Sequence, residues 1–206
     1  MELHGGSSEG AGGVVELASG VDALYLSGHA GVPPSLLERL TAARELAEEA
    51  GSDQSFELGG VPFQVAGHGM GKYRFCLVHR YGQLGLTPSG HLPPIRLQLR
   101  TEFIHGVGIM GAVRWFEELL AQEVGPCVFT VSRIDLYVDL QGWLPRGDDR
   151  HLFVCRGRER DTYERDGELT GFTFGRRKSG TLTARIYNKT IDAERKAGLT
   201  ELVGTR

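Results

Sequence analysis

FELGGVPFQVAG at 56–67, YRFCLVHRYG at 73–82 and IRLQLRTEFI at 95–104 decide the fold class of this 206-residue chain. Apolar and polar residues alternate over a few positions in each stretch, and Gly or Pro separates one stretch from the next. That is the pattern of short, half-buried strands joined by tight turns. Strands that follow one another without intervening helices pair antiparallel, because a parallel pair needs a long crossover connection.

Upstream, VDALYLSG (21–28) reads as a first strand. PSLLERLTAARELAEEAG (34–51) reads as a helix, with Pro at its start, Leu36, Leu37, Leu40, Ala43 and Leu46 on one face, and Gly51 at its stop. On the other side, GIMGAVRWFEELLAQEVG (108–125) is a second amphipathic helix with Ile109, Val113, Phe116 and Leu120 turned inward. A strong strand follows at 128–140, then a break at 145–149 leading into a short helix or turn, strands near 169–175 and 180–188, and a helix from about Lys189. The fold class expected is α+β, a largely antiparallel β-sheet flanked by amphipathic helices. Residues 1–13, rich in Gly and Ser, are expected to be disordered, and 14–206 to form one domain.

Composition narrows the function classes. A 40% hydrophobic content fills a core. No apolar run reaches the roughly 18 residues a membrane span needs, and the N-terminus lacks the charged-then-apolar pattern of a signal peptide, so a cytoplasmic protein with no membrane partner is expected. Cys76, Cys127 and Cys155 are widely spaced with no C-x-x-C pair, which excludes an evident disulfide framework or zinc site. The net charge of −3 hides an asymmetry: 1–145 carries 9 Lys+Arg against 16 Asp+Glu, whereas 146–196 carries 13 against 9. One basic face is implied in the later part.

Two strands carry the chemistry-bearing residues. In VSRIDLYVDL (131–140), a side-chain period of two puts Arg133, Asp135, Tyr137 and Asp139 on one face and Ile134, Leu136, Val138 and Leu140 on the other, which is expected to pack. Residues i and i+4 of a strand lie about 13 Å apart at Cα. One of Asp135 and Asp139 would therefore be a direct metal ligand and the other a supporter, unassigned between them. A solvated face also carries acids, so this strand alone does not decide. In GTLTARIYNKT (180–190) the same sorting gathers Thr181, Thr183, Arg185, Tyr187 and Lys189 on one face. A phenol is a poor nucleophile at neutral pH, and cations on either side favour its phenolate and hold a phosphate. An ordinary exposed Tyr on a cationic strand fits the same residues.

Three segments in order break the tie: Arg133-Ile134-Asp135 with Asp139, then Gly175-Arg176-Arg177-Lys178-Ser179, then Arg185-Ile186-Tyr187-Asn188-Lys189. Together they resemble the replication initiation factor family of rolling-circle plasmid initiators and related conjugative relaxases, over roughly residues 14–195. The middle segment is one residue longer than the family's shortest form. The resemblance implies metal-dependent, site-specific DNA nicking. Tyr187 would attack a phosphodiester, leaving a 5′-phosphotyrosyl link and a free 3′-hydroxyl, while Arg185 and Lys189 clamp the phosphate. Mg²⁺ or Mn²⁺ would be held by Asp135, Asp139 and Glu194, with Asp192 as the alternative third ligand. Arg133, Arg176, Arg177 and Lys178 would grip the DNA backbone. The partners implied are replication-origin or transfer-origin DNA and a replicative helicase, with a homodimer compatible. The two strands are expected to be sheet neighbours. Family members run on well past the Tyr segment, so the chain is expected to be C-terminally truncated.

GHGMGKY (67–73) is set aside as a phosphate loop, because Ala66 and Tyr73 stand where that motif needs Gly and Ser or Thr. No His-hydrophobe-His pair exists for a two-histidine metal site. Two other readings remain: a degenerate initiator that binds origin DNA without cutting it, and an α+β domain of unrelated function.

Overall fold

In chain order the elements are β1 (Val15–His29), α1 (Pro34–Ala50), β2 (Gln54–Leu58), β3 (Val61–Val65), β4 (Phe75–His79), β5 (Gly82–Leu86), β6 (Ile95–Leu99), α2 (Thr101–Val124), β7 (Val128–Gln141), a 3₁₀ turn (Gly147–His151), β8 (Arg160–Arg165), β9 (Glu168–Phe174) and β10 (Ala184–Tyr187). They come from a computed structural model that describes residues 13–154, 159–165, 167–175, 182–191 and 193. Glu16–Asp139 forms one compact unit, and the described residues flanking it on both sides form another.

The first unit is a seven-stranded antiparallel sheet in the order β2-β3-β4-β5-β6-β1-β7. The alternation read in the sequence becomes one buried face. Phe56, Leu58, Phe63, Val65, Phe75, Leu77, Leu84, Leu86, Ile95, Leu97, Leu99, Leu24 and Leu26 meet Leu36 and Leu40 of α1 and Phe116, Leu119 and Leu120 of α2 in a single core. Each large apolar side chain fully removed from water there contributes about 1.5–3 kcal/mol. The expected fold class, with its antiparallel sheet and flanking helices, is the one observed. Cys76 is buried and Cys127 half-buried, while Cys155 lies outside the described residues.

Four details differ from the sequence reading. YRFCLVHRYG is not one strand: β4 ends at His79 and the chain turns directly into β5. Gly82 and Gly85 hide β5 from a period-two reading. A Cβ at Gly82 would stand 2.7 Å from the Gln98 carbonyl oxygen and 3.1 Å from the Phe116 ring, so the packing itself demands glycine. IRLQLRTEFI is a strand only to Leu99, and α2 begins at Thr101. Tertiary contact outweighs alternation there, because Phe103 stacks on Tyr81 at 4.0 Å and Ile104 is buried. The expected helix start at 108 coincides with a break inside α2, where Gly108 takes φ 76°. Ile109 and Leu46, both expected inside, are exposed.

His79 sits among Phe63, Tyr81 and Trp115, with ring centroids at 5.0, 4.8 and 5.4 Å. Its Nδ1 accepts the Tyr81 backbone N–H at 3.2 Å. Burial first, and the Arg80 cation second, hold its pKa below the usual 6.5. A histidine that resists protonation when folded gives stability that is complete above the unfolded pKa and is lost as pH falls from there toward the depressed folded value. Urea unfolding is therefore expected to show a lower midpoint at pH 5 than at pH 7.5, and His79→Gln to narrow that gap. An unchanged gap would place the pH dependence elsewhere.

The second unit holds a three-stranded antiparallel sheet in the order β10-β9-β8. Phe172 and Phe174 on one face of β9 are buried, and the Phe153 ring lies 5.5 Å from that of Phe174. The expected break at 145–149 is an ordered turn. The Asp149 carboxylate accepts the Arg146 backbone N–H at 2.8 Å and the Trp143 indole N–H at 3.2 Å. The sequence reading missed β8, because RDTYER has no apolar period.

Candidate functional site

β7 lies at one edge of the seven-stranded sheet, beside β1. The Thr130 hydroxyl donates to the Ser27 carbonyl at 3.4 Å and the Ser132 hydroxyl to the Tyr25 carbonyl at 3.0 Å. The period-two sorting holds locally: Arg133 donates from Nε to Asp135 Oδ1 at 2.8 Å and from Nη2 to Asp135 Oδ2, a contact only two residues on the same face can make. The Arg133 guanidinium also lies 5.1 Å from the Tyr25 ring. The hydrogen bond to Asp135, outweighing desolvation, raises the Arg133 pKa further above its ordinary value. Both partners are partly exposed, so the pair itself is worth no more than about 1 kcal/mol. Its chemical consequence is larger, since both Asp135 oxygens are engaged by a guanidinium. Tyr137, next along this face, lies over Gly20, where a Cβ would meet its ring at 3.3 Å, and its ring is 5.9 Å from that of His105.

The opposite face of β7 does not pack as expected. Ile134 is 49%, Leu136 74%, Val138 52% and Leu140 41% exposed, whereas Asp135, Tyr137 and Asp139 are half-buried. The core and α2 meet the other face instead: Phe129 packs against the core, and the Tyr137 ring faces His105 of α2. Periodicity separated the two faces correctly but could not say which one the core would reach.

Tyr187 closes β10. The register pairs Ala184 with Phe174, Arg185 with Thr173, Ile186 with Phe172 and Tyr187 with Gly171. The Arg185 guanidinium carbon stands 4.7 Å from the Tyr187 ring centre, within cation–π range. The phenol is 41% exposed. Close approach of β10 to β9 needs a glycine opposite: a Cβ at Gly171 would fall 2.3 Å from the Ile186 carbonyl oxygen and 3.0 Å from Tyr187 Cα and Cβ. Lys189 does not continue the strand face of Arg185 and Tyr187, because the helix expected near Lys189 begins there. Asn188 makes the change of direction: its backbone N–H donates to the Thr170 carbonyl at 2.9 Å, and its side-chain oxygen accepts the N–H groups of Thr190 and Ile191 at 3.1 and 3.3 Å.

β7 and β10 belong to different sheets, so the expectation that they are sheet neighbours is corrected. Asp135 and Asp139 lie in the Glu16–Asp139 unit and Arg185, Tyr187 and Lys189 in the other. Arg176, Arg177, Lys178, Asp192 and Glu194 fall outside the described residues. Among the described residues no group of three or more His, Cys, Asp or Glu is gathered for a metal ion, so those residues alone do not complete an oxygen shell for Mg²⁺ or Mn²⁺. No described helix is long and apolar enough to cross a membrane. The sequence reading gave no role to Tyr163 or Gly171, and quoted Asn188 within the Tyr187 segment without a role of its own. A signal for Asn188 was present, since Asn ahead of a helical run is a capping residue.

Comparison of the chain with protein-family models, with curated proteins and with solved structures finds no match.

Proposed function

We propose that the chain is a rolling-circle replication initiator that nicks DNA through Tyr187. The observation that supports this best is an accessible phenol carrying a guanidinium against its ring at the end of β10. The cation offers a phosphate contact beside the oxygen proposed to attack it. In the step proposed, the Tyr187 oxygen forms a bond to phosphorus as the bond to the 3′ oxygen breaks. The phenolic proton leaves to solvent or a base, and the departing 3′ oxygen takes up a proton. The products are a 5′-phosphotyrosyl link and a 3′-hydroxyl that primes synthesis. Arg185 holds the phosphate and offsets its charge, with Lys189 as a second cation. A divalent ion, when bound, would polarise the non-bridging oxygens, and Asp135 and Asp139 are the candidates for holding it.

The experiment is relaxation of a supercoiled plasmid carrying the DNA that flanks the gene, with Mn²⁺ present. Asp135→Ala is expected to lower relaxation at least about 100-fold while duplex binding stays near the wild-type level. Equal loss of both would give Asp135 a folding role.

A second reading is favoured by one observation: both Asp135 oxygens accept hydrogen bonds from Arg133. On that reading the chain binds origin DNA and leaves it intact. Binding without relaxation in the same assay supports it.

A further inference from the structure

β8, β9 and β10 align residues in cross-strand rows, and one row is unlike the others. Tyr163 pairs with Gly171, and Gly171 pairs with Tyr187. Residues directly opposite in antiparallel strands point to the same side of the sheet. Tyr163 and Tyr187 therefore flank a glycine on the face opposite Phe172 and Phe174. That other face is used for packing, since both phenylalanines are almost completely buried. The tyrosines are 46% and 41% exposed, so their rings are not part of that core.

The two tyrosines stand on the outer strands, two strand spacings or about 10 Å apart. Gly171 places no side chain between them. The neighbouring row on the same face is Asp161, Thr173 and Arg185, and its arginine lies against the Tyr187 ring. Aromatic faces spaced across a sheet, with a cation beside them, suit one ligand chemistry well. Unpaired bases stack on the rings while the guanidinium meets the phosphates. Charge agrees, since residues 146–196 carry 13 Lys+Arg against 9 Asp+Glu.

We infer that Tyr163 and Tyr187, separated by Gly171, form a stacking platform for the bases of single-stranded DNA. The inference rests on the nicking reading for its biological setting and adds a second residue, Tyr163, that positions the strand. It makes Tyr187 both a ring that stacks and an oxygen that attacks. It also separates binding from cutting, because stacking tolerates any base sequence and needs no nick.

The test uses the full chain and fluorescein-labelled oligothymidylate of about 16 nucleotides, within the span such surfaces cover. Its comparison is an abasic strand of equal length, which keeps the phosphates and lacks the bases. Tyr163→Ala is expected to weaken oligothymidylate binding about 5- to 150-fold and to leave abasic binding unchanged. Tyr163→Trp should restore it to within about 3-fold of wild type, since the ring and not the hydroxyl makes the contact. Far-ultraviolet circular dichroism of each variant checks the fold. Equal affinity of Tyr163→Ala and wild type for oligothymidylate overturns the platform, as does equal loss on both strands or failure of the wild type to bind. Nicking is read separately on plasmid DNA, so loss of the platform and loss of the nickase reading give different results.

Discussion

Tyr187→Phe is expected to reduce plasmid relaxation to background, a fall of more than about 1000-fold, because it removes the only atom proposed to accept the phosphoryl group. The substitution is narrow. Phenylalanine keeps the ring, so the contact with the Arg185 guanidinium and the pairing of β10 with β9 both survive. The phenol is 41% exposed, so the hydroxyl is removed from a position that water reaches. Oligothymidylate affinity should stay within about 3-fold of wild type, since stacking is a property of the ring. Relaxation by Tyr187→Phe at the wild-type rate would move the nucleophile elsewhere, and loss of binding together with relaxation would make Tyr187 structural.

The second large effect concerns stability. Phe116 of α2 is fully buried, and its ring tip rests where a Cβ on Gly82 would stand 3.1 Å away. Phe116→Ala empties that volume at the junction of α2 with β5, and is expected to cost about 3–5 kcal/mol. A change of that size lowers the thermal midpoint by roughly 10–20 °C. Phe116→Leu should lose less than half as much, because most of the volume remains filled. Calorimetry measures both, and a Phe116→Ala midpoint within a few degrees of wild type would mean that the core does not close around this ring.

How far the sequence could be read depended on whether a residue's role was local. β2, β3, β4 and β6, α1, the later part of α2 and the antiparallel character were legible, because alternation and capping are written in neighbouring residues. β5 was hidden because Gly82 and Gly85 answer to Phe116 and Tyr73, which lie far off in sequence. β8 was hidden because every residue of RDTYER is polar or amphipathic and all six are exposed. That Arg133 and Asp135 share a face followed directly from strand parity. Asp135 already engaged by a cation was not legible, because parity places two side chains on one face and does not say that they bond. The same limit applied to Ile134, Leu136, Val138 and Leu140, whose shared face was plain and whose exposure depended on which face of β7 turns to the core. Tyr163 could not be connected to Tyr187 before the register was known, since 24 positions separate them and it is their shared pairing with Gly171 that puts them in one row.

The central claim is that Tyr187 forms a covalent bond to DNA, and peptide mapping after the plasmid reaction tests it most directly. The chain is incubated with the supercoiled plasmid and Mn²⁺, digested with nuclease and trypsin, and analysed by mass spectrometry for peptides that carry a nucleotide phosphate. The added mass is expected on the tryptic peptide 186–189, at Tyr187, and none in Tyr187→Phe. An adduct at any other residue, Tyr163 included, or relaxation with no adduct at all, would contradict that claim.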